Sequence, residues 1–295
     1  MPPPLDAFFQ PVPEGGQRLY LHHTPPEGMA LKGAVLYVHP GVEELNKCRR
    51  MAALASRALA AQGWAVLQLD LLGCGDSSGN FGDATWEAWV DDITRAAHWL
   101  QARHTGAPLW LWGLRSGALL ATAAAPRIGG PLNLLFWQPA LQGKALLQQF
   151  LRLKAAAQLA DGGGKAILDA ARADLAAGRP VEVAGYRLPA ALAQGLEAAT
   201  LAPPTLEAVG PGRLVWLEVS VQVEPTLAPA AQAAWPRWQA AGWQVQGHAV
   251  QGPAFWQTTE IEDAPALLAA TVAALQGNSV ISAGVGAATP MAVSA

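Results

Sequence analysis

Leu109-Trp-Leu-Trp-Gly-Leu-Arg-Ser-Gly-Ala-Leu-Leu120 is the stretch on which the reading of the chain turns. Leu109 to Trp112 is a continuous apolar run and predicts a buried strand; Ala118 to Ala125 predicts the start of a helix. Gly113 and Gly117 bracket the turn between them, where strand packs on helix with almost no room for side chains. This is the layout of a nucleophile elbow, G-x-S-x-G, a strained strand-to-helix turn that lifts one side chain above a sheet. The middle position, however, is Arg115. A serine follows one position late, at Ser116.

Upstream of this turn, Arg18 to His23 alternates and predicts a first, edge strand. Gly33 to Val38 and Trp64 to Leu69 predict buried strands, with a helix from about Lys47 to Gln62 between them. Trp86, Trp89, Ile93, Ala96 and Ala97 recur at helical spacing and predict a helix over 86–102. Downstream, Leu132 to Trp137 is another apolar strand. From about 140 to 205 the texture changes to alanine-rich helical segments, which predicts a helical cap over the sheet. Strands resume at Arg213 to Val219 and Trp243 to Val250, and a helix at Ala264 to Leu275 follows. Residues 1–16 carry five prolines and predict an extended surface segment; 277–295 lacks any period and predicts a disordered tail. Strands alternating with helices call for a mostly parallel sheet with helices on both faces, an α/β fold. The expected organisation is one domain over 17–276.

Composition narrows the function. Hydrophobic residues make up 52% of 295 residues, enough for a substantial core, although many are alanine. A net charge of −3 lacks the basic surplus of nucleic-acid binding proteins. No stretch reaches the ~18 apolar residues of a membrane span, and the N-terminus lacks the basic and apolar regions of a signal peptide. Cys48 and Cys74 cannot build a disulfide framework, and neither has a histidine at metal spacing. A cytoplasmic location, no metal and no cofactor are the expectations.

The strand order around the elbow matches the α/β-hydrolase plan, and the loop Asp70-Leu-Leu-Gly-Cys-Gly-Asp-Ser-Ser-Gly79 resembles the D-x-x-G-x-G-x-S-x-G loop common in that superfamily. The match narrows at His39-Pro-Gly-Val-Glu-Glu-Leu-Asn-Lys-Cys-Arg-Arg-Met51, Asp70 to Asp76, Trp112 to Gly117 and Gly252-Pro-Ala-Phe-Trp-Gln-Thr-Thr-Glu-Ile-Glu262. With these, the chain from about Phe8 to Leu275 resembles the exosortase A system-associated hydrolases of type 2. The resemblance implies an α/β-hydrolase fold working beside exopolysaccharide production and PEP-CTERM protein sorting, with no identified substrate.

A serine hydrolase of this plan carries its nucleophile at the elbow, its acid after the penultimate strand and its histidine after the last. The elbow residue here is Arg115, which cannot be deprotonated in a protein. Glu224 stands at a plausible acid position, although a solvated loop glutamate is the plainer reading. The histidine loop reads Gln251-Gly-Pro-Ala-Phe-Trp256. His248 is near in sequence, yet it alternates with Gln244 and Gln246 and so faces outward or toward the sheet edge. Ser116, about 100° around the helix from Arg115, should turn into helix packing and satisfy a free amide; a shifted nucleophile is its alternative role. His39-Pro40 falls where relatives have His-Gly at the start of the oxyanion loop, and proline removes one N–H donor.

Arg115 should lie over the carboxyl ends of the strands, where ligands bind open α/β sheets. Its fork suits a carboxylate or phosphate; alternatively it is neutralised by Glu43, Glu44, Glu260 or Glu262, since buried charges are normally paired. Arg115, His39, Glu43, Glu44, Trp137, Trp256 and Glu260 are the candidate ligand-binding residues. Asn46, Lys47, Arg49 and Arg50 read as a solvated helix face. Two functions fit. One is a hydrolase-fold protein without the serine mechanism, binding a small anionic or acyl ligand or a protein of the exosortase system. The other is an active hydrolase of ester or acyl conjugates with a non-standard or shifted nucleophile.

Overall fold

A computed structural model describes residues 3–157, 164–210 and 212–277. The strands are β1 (Leu5–Pro11), β2 (Gln17–His23), β3 (Gly33–Val38), β4 (Trp64–Leu69), β5 (Leu109–Leu114), β6 (Leu132–Trp137), β7 (Val181–Val183), β8 (Tyr186–Leu188), β9 (Arg213–Ser220) and β10 (Gln244–Gln251). Among the described residues, eight of them form one sheet in the order β1-β2-β4-β3-β5-β6-β9-β10. β1 and β2, and β2 and β4, pair antiparallel; every other pairing in that sheet is parallel. Buried strands of this kind read as continuous apolar runs because helices cover both faces, and β3, β4 and β5 are buried along their whole length.

Alternate residues feed two cores. Trp110, Trp112 and Leu114 of β5 enter the layer shared with α1 (Val42–Ala60) and α9 (Pro265–Leu275). Leu109 and Leu111 enter the opposite layer, with α2 (Trp86–Arg103) and α3 (Ser116–Ile128). Between β6 and β9 lie α4 (Gly143–Ala157), α5 (Gly164–Ala176), the β7–β8 hairpin, α6 (Ala190–Ala198) and the short α7 (Leu206–Val209). The hairpin forms its own two-stranded sheet and adds nothing to the main one. The first three helices and the hairpin stand on a neck where Gln142 bridges Thr200. There the Gly143 amide donates to the Ala199 carbonyl (2.9 Å) and the Leu201 amide to the Leu141 carbonyl (2.9 Å).

Three expectations need correction. The N-terminal stretch is extended and mostly exposed as expected, but it belongs to the sheet: Leu5 to Pro11 is the outermost strand, in register with all of β2, so Arg18 to His23 is not the edge. Pro4 and Pro11 border the pairing, and an edge strand needs partners on one side only, so prolines there are tolerated. α1 begins at Val42, five residues before the expected start, and carries Glu43 and Glu44 in its first turn, where acids offset the helix dipole. α8 (Pro229–Ala240), between β9 and β10, has Pro229 in its first turn but also Pro236 in its interior, and so escapes a proline-based reading. The expected tail from 277 falls, apart from Gly277, outside the described residues.

Candidate functional site

The turn between β5 and α3 is a single residue long. Arg115 occupies it with φ 56° and ψ −116°, a region that L side chains rarely adopt. Its neighbours explain why the turn is so tight. A Cβ on Gly113 would collide with the backbone of Ala118, and one on Gly117 would strike the Val38 carbonyl. The backbone of Arg115 is held on both sides: its amide donates to the Trp137 carbonyl (3.1 Å), and its carbonyl accepts from Ala118 and Ala140 (3.2 Å each). Such strain survives only where the surroundings enforce it.

The guanidinium is largely enclosed. Nε donates to Glu44 Oε1 at 3.1 Å, with the two side chains 14% and 16% exposed. A second nitrogen reaches Gln149 Oε1 on α4 at 3.5 Å, and the guanidinium carbon sits 5.3 Å above the centre of the Trp256 ring, within cation–π range. Burial raises the Glu44 carboxyl above its ordinary range, and the charge of Arg115 works against that rise. Burial likewise drives up the Cys48 thiol one turn further on.

Beside this cluster is a cavity of about 110 Å3. Its apolar wall comes mainly from the cap, with Leu146, Leu147, Phe150 and Leu153 of α4 and Leu192 and Leu196 of α6 facing Trp86 and Trp89 of α2. Its polar rim is Gly41, Glu43, Glu44, Ser116, Gln149 and Gln257. Ser116 is 5% exposed, and its Oγ accepts from the Gly41 amide at 2.7 Å. It does satisfy a free amide, but that amide belongs to the loop after β3, and Ser116 borders the cavity where helix packing was expected.

Several candidates lie elsewhere. His39 is buried and spent on backbone: Nε2 accepts from the Leu71 amide (3.3 Å), which leaves Nδ1–H to donate to the Pro40 carbonyl (2.7 Å). It joins the loops after β3 and β4 and does not border the cavity. Trp137 is fully buried in the α1–α9 layer, where its Nε1 donates to Thr271 Oγ1 at 2.9 Å. Glu260 and Glu262 are exposed and Glu224 sits on an exposed turn; none borders the cavity. His248, on the edge strand β10, contacts Gln246 of the same strand at 3.1 Å. The loop after β10 instead buries Phe255 and Trp256, whose ring centres are 5.2 Å apart. Arg49 pairs with Asp70 (3.1 Å) and Arg50 with Asp263 (2.8 Å) on the solvated helix face expected for them.

The glycine-rich loop is a structural lock. Asp70 Oδ2 accepts from the Asp76 amide (3.0 Å), and Ser77 and Ser78 fasten the loop to β2 through the amides of Leu19 and Gln17 (2.9 Å each). Beneath it, the buried Asp92 carboxylate gathers Arg18 (2.8 Å), the Leu72 amide (2.8 Å) and Arg95 (2.6 Å). The sequence reading missed the cap wall and the rim glutamines. The signal was present in α4, whose Leu146, Leu147, Phe150 and Leu153 recur at helical spacing.

Residues 30–164 match the family described as serine aminopeptidase, S33. Among solved structures, Est1E from Butyrivibrio proteoclasticus with ferulic acid bound superposes with a TM-score of 0.59 at 15% identity, over 92% of this chain and 97% of that one. A thermostable carboxyl esterase from Bacillus coagulans in complex with glycerol gives 0.56 at 16% identity, over 85% and 91%. A serine hydrolase described as lacking a lid, from Xanthomonas campestris, gives 0.51 at 16%, over 94% of each chain. This chain has the α/β-hydrolase fold. No curated protein matches it significantly. Within that fold the elbow of this chain presents a cation where the G-x-S-x-G pattern presents a hydroxyl, and no described helix is long and apolar enough to cross a membrane.

Proposed function

We propose that this α/β-hydrolase-fold protein binds a small acyl ligand in its capped cavity and does not use the serine mechanism of the superfamily. The observation that carries this reading is Arg115 at the elbow apex, its guanidinium engaged by Glu44, Gln149 and Trp256. Serine catalysis needs a nucleophile, a base within hydrogen-bond reach and donors aimed at the developing oxyanion. The apex offers no hydroxyl. The loop after β10 offers Phe255 and Trp256 and no histidine between Gly252 and Ala264. One oxyanion donor would be an amide of the loop after β3; here the Gly41 amide is already bonded to Ser116 Oγ. Nucleophile, base and oxyanion donor are thus each compromised, on three separate elements.

The motifs at His39–Met51, Asp70–Asp76 and Gly252–Glu262 support a place beside exopolysaccharide production and PEP-CTERM protein sorting, with a protein of that system as a further partner. Two buried free cysteines favour a reducing, cytoplasmic setting.

A serine-directed fluorophosphonate probe tests the mechanism. The expected result is no labelling of Ser116 and negligible turnover of p-nitrophenyl esters. Arg115→Ser should not create activity, because no base stands ready to take the proton. One observation favours a second reading, an active hydrolase with a shifted nucleophile: Ser116 borders the cavity and its oxygen carries a backbone donor. Stoichiometric labelling of Ser116, or ester turnover abolished by Ser116→Ala, would establish that reading instead. Mass spectrometry of small molecules retained by the purified protein identifies the native ligand.

A further inference from the structure

Resting on the reading of the cavity as an acyl site, we infer that it selects a neutral carbonyl compound over an anion, and that the Ser116 hydroxyl reads the carbonyl oxygen. A hydroxyl can donate once and accept twice. Ser116 Oγ accepts from the Gly41 amide, and among the described residues no acceptor takes its own proton. That proton belongs to a buried group on the rim of a cavity whose walls are mainly leucine, phenylalanine and tryptophan, and the rim's Glu43, Glu44, Gln149 and Gln257 make no hydrogen bond to it. An unmet buried donor there is answered by an acceptor on the ligand. The first amides of α3, which have no partner within the helix, lie at the same end.

The charges at the rim decide the class of acceptor. Glu43 and Glu44 border the cavity; Arg115 is committed to Glu44, whose charge Lys47 on the same helix also favours. Glu43 has no ion-pair partner among the described residues. Arg49 and Arg50, further along α1, are held by Asp70 and Asp263. Among the described residues that line the cavity none is a cation, so a carboxylate or phosphate would find no counter-charge there and would face Glu43 as a like charge. An ester, thioester or amide carbonyl meets the same donor without that repulsion. Size sets the tail. An apolar cavity of ~150 Å3 holds a benzene ring, so about 110 Å3 suits a short unbranched chain or a small ring fragment.

Calorimetric titration of the full chain at pH 7 with hexanamide, methyl hexanoate and hexanoate tests this. Hexanamide should bind at least about tenfold more tightly than hexanoate, and Ser116→Ala should weaken hexanamide by about tenfold, the worth of one good hydrogen bond. Because that variant also strips the Gly41 amide of its acceptor, Leu146→Trp serves as a second: it fills the cavity from the cap and should abolish binding with Ser116 intact. Hexanoate binding as tightly as hexanamide overturns the inference, as does hexanamide affinity unchanged in either variant, or no binding of any of the three. Methanol released from methyl hexanoate would instead overturn the non-catalytic reading, while hexanamide against hexanoate still reports the selectivity.

Discussion

At the scale of single residues, Arg115 is under two opposing demands. Its backbone sits where glycine is at ease, and its side chain neutralises a part-buried carboxylate. Arg115→Ala keeps the strain and loses the ion pair, leaving the part-buried Glu44 unpaired; removing one partner of a fully buried pair costs about 3–5 kcal/mol, which sets the upper bound for this one. Arg115→Gly loses the same pair but relieves a conformation that costs of order 1–3 kcal/mol. Denaturant titration should therefore find the glycine variant more stable than the alanine variant by about 1 kcal/mol or more, and equal stabilities would show the turn to be unstrained. The loss has a pH signature. Glu44 already has a raised folded-state pKa, so its protonation favours the folded chain as pH falls. Without Arg115 that effect grows, and the gap between Arg115→Ala and the parent should narrow from pH 7 to pH 5. The apex could be read in the sequence because two glycines and a strand–helix switch mark it. The burial of His39 could not be read, because its ring is held by the carbonyl of the adjacent Pro40 and by the amide of Leu71, 32 residues away, and spacing carries no trace of the second.

At the scale of elements, β2 and the cap each carry a test. His22 and His23 are both buried on β2, and burial lowers each ring to about 4. His22 packs on Trp99 and meets His104 at 3.0 Å, where the neighbouring imidazole opposes its charge and Asp6 partly favours it. His23 meets Gln68 at 3.2 Å, with Arg57 opposing its charge. A folded-state value below the unfolded ~6.5 means that the unfolded chain binds more protons between pH 6.5 and about 4, so stability falls as pH falls through that window. By pH 5 the loss is on the order of 2 kcal/mol per ring. Urea midpoints at pH 7 and pH 5 measure it, and NMR titration of either ring near 6.5 in the folded protein would contradict it. In the cap, Gly195 on α6 rests against Trp86 of α2, and a Cβ there would run into the tryptophan. Gly195→Ala should cost about 1–3 kcal/mol of overpacking and speed proteolysis within 143–198, with cleavage elsewhere unchanged. Most strands were legible because burial on both faces writes them as apolar runs. β1 was hidden because Leu5 to Pro11 sits between prolines and takes its order from a register with β2 that local sequence does not encode.

At the scale of the whole molecule, the strand pairing of the main sheet closes without its cap, although cap side chains share the core of the α2–α3 layer. The chain leaves it at Trp137 and returns at Arg213 to pair with the strand it left, Leu134 opposite Leu214. Replacing residues 143–199 with a short glycine–serine linker should leave a folded sheet and remove the cavity wall. The entropy of closing the loop changes only by about 0.6 kcal/mol for each twofold change in length. Cooperative unfolding of the shortened chain, with no hexanamide binding, is the expected result; loss of the sheet's cooperative transition would show that the cap is part of the core. The hydrogen-bonded neck at Leu141 to Gly143 and Ala199 to Leu201 gives this detour a further meaning. It holds two cut points side by side, so the intervening gene segment can be lost, swapped or lengthened without disturbing the frame on which Arg115 stands. Descendants of such a chain can inherit elbow and cap separately, and ligand preference can diverge by exchange of a module as well as by point substitution.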